Sequence, residues 1–149
     1  MGRKRPLEGV RVLSLCHTVA APFCTMILGD LGADVIKVEI PGTGDYSRGM
    51  YPVIDGQSAA YLSLNRNKRS ITLNLKEKEG REILYTIAKK SDVMVENFTP
   101  GVVDRLGVGY GDIKKVNPSI IYCSISGFGQ SGPYRELPAY DPVLQGICL

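Results

Sequence analysis

The sequence predicts an α/β domain built on a mostly parallel sheet with helices on both faces. Short apolar runs alternate with stretches of helical character along the whole chain, the pattern of a sheet whose strands are joined by crossover helices. The first two runs, residues 10–15 and 34–39, enclose one such stretch and form a βαβ unit of about thirty residues. At 149 residues with 44% hydrophobic content, the chain is long enough to bury one core.

Taken in order, VRVLSL at 10–15 is a compact apolar run of the kind buried in a sheet interior. PFCTMILGDL at 22–31 reads as a helix opened by Pro22 and stopped by Gly32. DVIKVE at 34–39 is a second strand, followed by the turn-rich PGTGD at 41–45 and an irregular region to Asp55. Ser58 caps a short helix to residue 64, and SITLNL at 70–75 alternates with period two as a strand. Residues 78–90 give the clearest helix, with Ile83, Leu84, Ile87 and Ala88 on one face and Lys89 and Lys90 at its C-terminal end. DVMV at 92–95 is a strand, Thr99 and Pro100 cap and open a helix to Leu106, residues 112–116 form another short helix, and IIYCSI at 120–125 a fifth strand.

Composition narrows the function classes. A net charge of +3, with cations spread along the chain, disfavours a nucleic-acid surface and leaves room for a small ligand bearing phosphate. Cys16, Cys24, Cys123 and Cys148 form no C-x-x-C pair and stand in apolar surroundings, so they read as buried free thiols suited to a reducing cytoplasm. Pro6, Glu8 and Arg11 interrupt any signal-peptide core, and no apolar run is long enough to span a bilayer. The last five residues lie inside an apolar stretch, which points to a fragment or to a chain completed by a partner.

Several motifs invite a sharper reading. SGFGQSGP at 126–133 places Gly127, Gly129 and Gly132 at the G-x-G-x-x-G spacing of a dinucleotide loop. That fingerprint belongs at the first strand-to-helix turn, with a helix opening at once on the pyrophosphate. Here it follows the last strand and precedes Pro133, Pro138 and Pro142, while the first turn, residues 16–22, carries no glycine. Glu39 ends the second strand where a ribose-binding acid would stand, and without those glycines it reads as a surface carboxylate. His17, the single histidine, sits at the C-terminal end of the first strand, where open sheets place ligands. A structural histidine is the commoner occupant of such a place. One histidine and scattered cysteines supply no metal set, and neither a G-x-S-x-G elbow nor a P-loop lysine is present.

Taken together, PLEGVRVL at 6–13, Ala21-Pro22, LGDLGADVIKVE at 28–39, GTGD at 42–45, NKRSI at 67–71, DVMVENF at 92–98, Pro100-Gly101, Leu106-Gly107 and the loop at 126–133 resemble the N-terminal portion of class III CoA-transferases, the CaiB/BaiF family. Formyl-CoA transferase and α-methylacyl-CoA racemase are among its members. The resemblance runs in order through nearly the whole chain. It implies that residues 1–149 are a Rossmann-like, CoA-binding domain, the N-terminal part of a longer fold that assembles as an interlocked homodimer or is completed by another chain. It also implies a transferase that moves CoA between carboxylic acids through an aspartyl anhydride and thioester, with acyl-CoA and acid substrates and neither a metal nor NAD. The loop at 126–133 then becomes a mobile segment beside the acyl-CoA site, its glycines supplying backbone freedom.

Carried over residue by residue, the CoA contacts fall on Val19 and Ala20 in the first turn, on Leu73, Asn74, Leu75 and Lys76, on Asn97 and Phe98, on Arg105, and on Tyr140 and Asp141. Lys76 and Arg105 suit phosphates, and the apolar side chains suit adenine or the pantetheine arm; by their own chemistry the two cations read equally as a solvated face. The family nucleophile falls a few tens of residues beyond Leu149, so no catalytic residue is expected within the chain. Racemases carry an active-site histidine where this sequence has Tyr140, which has no base with a pKa near 7. A racemase relative and a non-catalytic Rossmann-like binding module are the alternative readings.

Overall fold

The computed structural model describes residues 4–147. In chain order the elements are β1 (Arg11–Leu15), α1 (Ala20–Asp30), β2 (Asp34–Glu39), a 3-10 turn (Tyr46–Gly49), β3 (Val53–Ile54), β4 (Gln57–Ser58), α2 (Ala59–Asn65), β5 (Lys68–Thr72), α3 (Lys78–Ala88), β6 (Val93–Glu96), α4 (Val102–Arg105), α5 (Tyr110–Val116), β7 (Ile121–Ser124) and α6 (Asp141–Ile147). Five strands form one sheet in the order β5-β2-β1-β6-β7, every neighbouring pair parallel. β3 and β4 form a separate antiparallel hairpin.

The central strands are buried on both faces, as crossover helices require. Side chains alternate across the sheet. Leu13, Leu15 and Met94 point to a core shared with Leu84 and Ala88 of α3, Val103 of α4 and Ile113 of α5. Val12, Val35 and Val95 point to the opposite core, where Ala21 and Leu28 of α1 close the layer. Helices therefore cover both faces, as the alternation of elements predicts. On α3 the buried row is Gly80, Leu84 and Ala88, while Ile83 is 46% exposed and lies off the face expected for it. Gly80 is required by close approach: a Cβ there would sit 2.1 Å from the carbonyl oxygen of Asn74.

Two boundaries and one helix differ from the sequence expectation for physical reasons. The third sheet strand spans Lys68–Thr72 because its register runs from Lys68 beside Val35 to Thr72 beside Glu39. Leu73 and Leu75, which suggested a later strand, belong to the loop that turns under α3 and pack into its core. α4 starts at Val102, not at Pro100, because Gly101 adopts a left-handed conformation (φ +82°) that breaks helical continuity. α6 forms despite Pro142, because a proline in the first helical turn gives up an N–H that has no partner there in any case. The β3–β4 hairpin carried its own signal in Asp55-Gly56, whose φ values of 49° and 74° suit a two-residue turn.

Candidate functional site

Numbered within the large sheet alone, the strand order is 3-2-1-4-5, that of a doubly wound nucleotide-binding sheet. The chain leaves β1 towards one side and β6 towards the other, which opens a crevice at their C-terminal ends. Two residues lock that crevice. The His17 backbone N–H donates to Asn97 Oδ1 at 2.9 Å, and Asn97 Nδ2 donates to the His17 carbonyl at 2.9 Å. The Phe98 ring lies 5.3 Å from the His17 imidazole at 55°. Burial lowers the pKa of His17 below its usual 6.5, so at neutral pH it is an uncharged ring packed on Phe98 and not a cation. Beyond it, Val19 and Ala20 are exposed at the start of α1, a helix with no side-chain cap and no acidic residue in its first turn. Of its first three residues only Ala20 is exposed, since Ala21 and Pro22 are buried and Pro22 carries no N–H, and the Phe23 N–H donates to the Val19 carbonyl at 2.8 Å.

A buried ionic frame fixes this turn from below. Lys37, in the centre of β2, is wholly buried and donates to the Cys16 carbonyl at 2.8 Å and to Asp45 Oδ2 at 2.5 Å. The other Asp45 oxygen accepts from the Thr18 N–H at 3.1 Å, and from the Ser47 N–H and hydroxyl at 2.8 and 2.7 Å. These bonds hold Thr18 at φ +67°, a left-handed conformation costly for a β-branched residue. Burial pushes the Asp45 carboxyl up, but Lys37 and the Ser47 donors outweigh it and the net shift is downward.

Glu39 is not the surface carboxylate expected from sequence; its side chain is 1% exposed. Its oxygens accept from Arg48 Nε and Nη2 at 2.7 and 2.8 Å, the Ser70 hydroxyl at 2.6 Å, the Tyr61 hydroxyl at 3.0 Å and the Asp45 N–H at 2.8 Å. A carboxylate so occupied has no lone pair left over for a ribose. Burial alone would raise its pKa, yet these donors bring it from 4.5 down to about 2. Because the folded pKa lies below the unfolded one, the stabilisation is complete above pH 4.5 and is lost as pH falls towards 2. Acid titration of stability should show a loss on the order of 2 kcal/mol across that window. Glu39→Gln should flatten it; an unchanged profile would rule out this assignment.

A second concavity, of about 460 Å³, lies between the β6–α4 connection and the segment after β7. Thr99, Gly101 and Arg105 form one wall, and Gln130 and Arg135 the other. The 126–133 loop is tethered more firmly than the sequence suggests. Gln130 Nε2 donates to Ser124 Oγ at 2.7 Å, and Ser124 in turn bonds the buried carboxyl of Glu96. Only Gly129 and Gly132 take positive φ (79° and 95°). Gly127 serves close packing instead, since a Cβ there would meet Ala139 Cβ at 2.0 Å.

The structure brings Val19, Ala20, Asn97 and Phe98 together at the crevice. Leu73, Asn74, Leu75 and Lys76 follow β5, two strands away at the sheet edge. Of these, Leu73 is a core side chain, Leu75 packs against the same cluster, Asn74 Oδ1 accepts the Lys76 N–H at 3.1 Å, and the Lys76 side chain is exposed. Arg105 lines the second concavity, whereas Tyr140 is 67% exposed outside it and Asp141 accepts from Gln145 within α6. Cys16, Cys24 and Cys123 are free thiols, and burial pushes Cys16 up to about 12, which makes it inert. Cys148 lies outside the described residues. Among the described residues no group of three or more potential metal ligands occurs, and no helix is long and apolar enough to cross a membrane. Sequence reasoning missed Arg135, Gln130 and the Lys37–Asp45 pair. A lysine in the middle of an apolar inner strand was the available signal for the pair, because such a charge must find a buried partner.

Comparison with known proteins adds a consistent set of likenesses. Residues 7–148 match the sequence family described as CoA-transferase family III. The chain is 49% identical over 148 residues to succinyl-CoA:glutarate CoA-transferase of Homo sapiens, covering 99% of this chain and 34% of that protein. It is 48% identical over 144 residues to acetyl-CoA:oxalate CoA-transferase of Acetobacter aceti, covering 97% of this chain and 37% of that protein. The crystal structure of a CaiB/BaiF family protein from Brucella suis superposes with a TM-score of 0.91 at 43% identity, covering 97% of this chain and 39% of that one. The chain thus spans about a third of the length of the curated relatives it matches.

Proposed function

The chain belongs to CoA-transferase family III, and we propose that it is the coenzyme A-binding portion of an enzyme that moves CoA between carboxylic acids. The observation that carries this reading is the His17–Asn97 lock. It joins the two strand ends at the point where a doubly wound sheet receives a nucleotide, and the exposed Ala20 at the uncapped start of α1 stands beside it. A phosphate oxygen suits the Ala20 amide, Arg105 suits a further phosphate, and Phe98 offers an apolar surface to the pantetheine arm or adenine. Val19 and Ala20 contact the ligand through backbone, as does the 73–76 loop, whose Leu73 side chain is committed to the core. Tyr140 and Asp141 complete the proposed contacts from the far side of the 126–133 loop.

In this reading the chain orients the thioester and the nucleophilic aspartate lies in sequence beyond residue 149. That carboxylate attacks the acyl-CoA carbonyl to give an acyl anhydride and CoA thiolate; the thiolate then attacks the aspartyl carbonyl, leaving an aspartyl thioester and the free acid. The isolated chain should therefore bind CoA and leave succinyl-CoA unexchanged with added dicarboxylates. Calorimetric titration with CoA, with NADH as control, tests the binding. Saturable heat with CoA alone supports the reading, and binding of NADH but not CoA overturns it.

A further inference from the structure

We infer that the concavity beside α4 is a phosphate subsite closed by two arginines, with Arg135 as its second cation. This rests on the CoA reading above and adds to it a residue and a ligand group. The two walls come from separate connections, after β6 and after β7, so adjacent strands present opposed side chains across about 460 Å³. Arg105 is exposed and enters no ion pair among the described residues. Its Nη1 lies 3.2 Å from where a Cβ on Gly101 would be, so the bare backbone at 101 leaves the guanidinium its place. Among the described residues the Arg135 guanidinium bonds only Glu136, at 3.2 and 3.4 Å, an exposed contact between chain neighbours that exchanges readily for a phosphate.

Two carboxylates, Asp104 and Glu136, also line the concavity, and Glu136 is the one paired with Arg135. Asp104 packs its carboxylate against Gly109, where a Cβ would lie 2.0 Å from Oδ1. Gln130 is held by its bond to Ser124, and the packing of Gly127 on Ala139 steadies the loop that leads to Arg135. Two arginines lining one concavity from opposite walls can offer a phosphate two planar guanidinium forks, which recognise it with direction as well as charge.

Calorimetry on the purified chain with CoA and with 3′-dephospho-CoA tests this, using Arg105→Gln, Arg135→Gln, Arg135→Lys and the double glutamine variant. Each single glutamine change should weaken CoA binding about tenfold. The double variant should lose less than the product of the two, because both cations serve one phosphate, and Arg135→Lys should recover only part of the loss. If Arg135→Gln costs affinity for CoA and not for 3′-dephospho-CoA, the group is the 3′-phosphate; an equal cost with both places the pyrophosphate there. Binding of CoA by Arg135→Gln within twofold of the unaltered chain, with Arg105→Gln weakened, overturns the inference and spares the CoA reading. Failure of the unaltered chain to bind either ligand overturns both.

Discussion

Replacing Lys37 by methionine is expected to destabilise the fold by about 3–5 kcal/mol, the cost of leaving a buried carboxylate without its cation. Asp45 would keep its bonds from Thr18 and Ser47 but lose the Nζ at 2.5 Å, and the Cys16 carbonyl would lose a donor at 2.8 Å. Methionine nearly matches the lysine stem in volume, so the loss is electrostatic and not a cavity effect. The pH dependence separates the two. In the unaltered chain the Asp45 pKa is depressed, so its contribution is present above the ordinary carboxylate range and fades on acidification. In Lys37→Met the same carboxyl is buried without a partner, its pKa rises, and protonation relieves it. The gap between the two proteins, measured by urea denaturation, should therefore narrow as pH falls from 7 towards 4. A loss below about 1 kcal/mol, or a gap that widens in acid, contradicts the electrostatic account.

The same pair shows where the sequence is legible and where it is not. The strands β1, β2 and β6 were readable because both their faces are buried, and continuous apolar runs need no knowledge of partners. β5 was misplaced because Leu73 and Leu75 satisfy a period-two pattern while packing under α3, and register is settled by a neighbour remote in sequence. Val19, Asn97 and Phe98 enter as candidates through the resemblance alone. What no local pattern contains is that the partner of Asn97 is the His17 backbone, 80 residues away. Glu39 and Arg48 look like ordinary surface charges in sequence, and only the fold of the 41–49 turn sets them together with Tyr61 and Ser70. Pairings of this kind depend on tertiary approach, and charge alone does not announce them.

Substituting Asn97 by leucine should cost about 3 kcal/mol of stability and weaken CoA binding by more than an order of magnitude. The Asn97 side chain bonds both backbone groups of His17, accepting from its N–H and donating to its carbonyl. Leucine fills similar space and satisfies neither, so two half-buried polar groups lose their partners at once. Aspartate retains the accepting half but turns an oxygen towards the His17 carbonyl, and so should recover less than half of the stability. The effect on binding follows from geometry. The His17 peptide leads directly into Thr18 and the first amides of α1, and freeing it from β6 lets the two sides of the crevice drift apart. Thermal melts and CoA calorimetry, both at a temperature where the variant remains folded, distinguish a general weakening from a local one. Loss of stability with CoA affinity kept within twofold would mean that the lock holds the sheet together but does not border the ligand. A paired loss, with Lys37→Met reducing affinity less than Asn97→Leu at equal stability, would mark the crevice as the place where CoA is held.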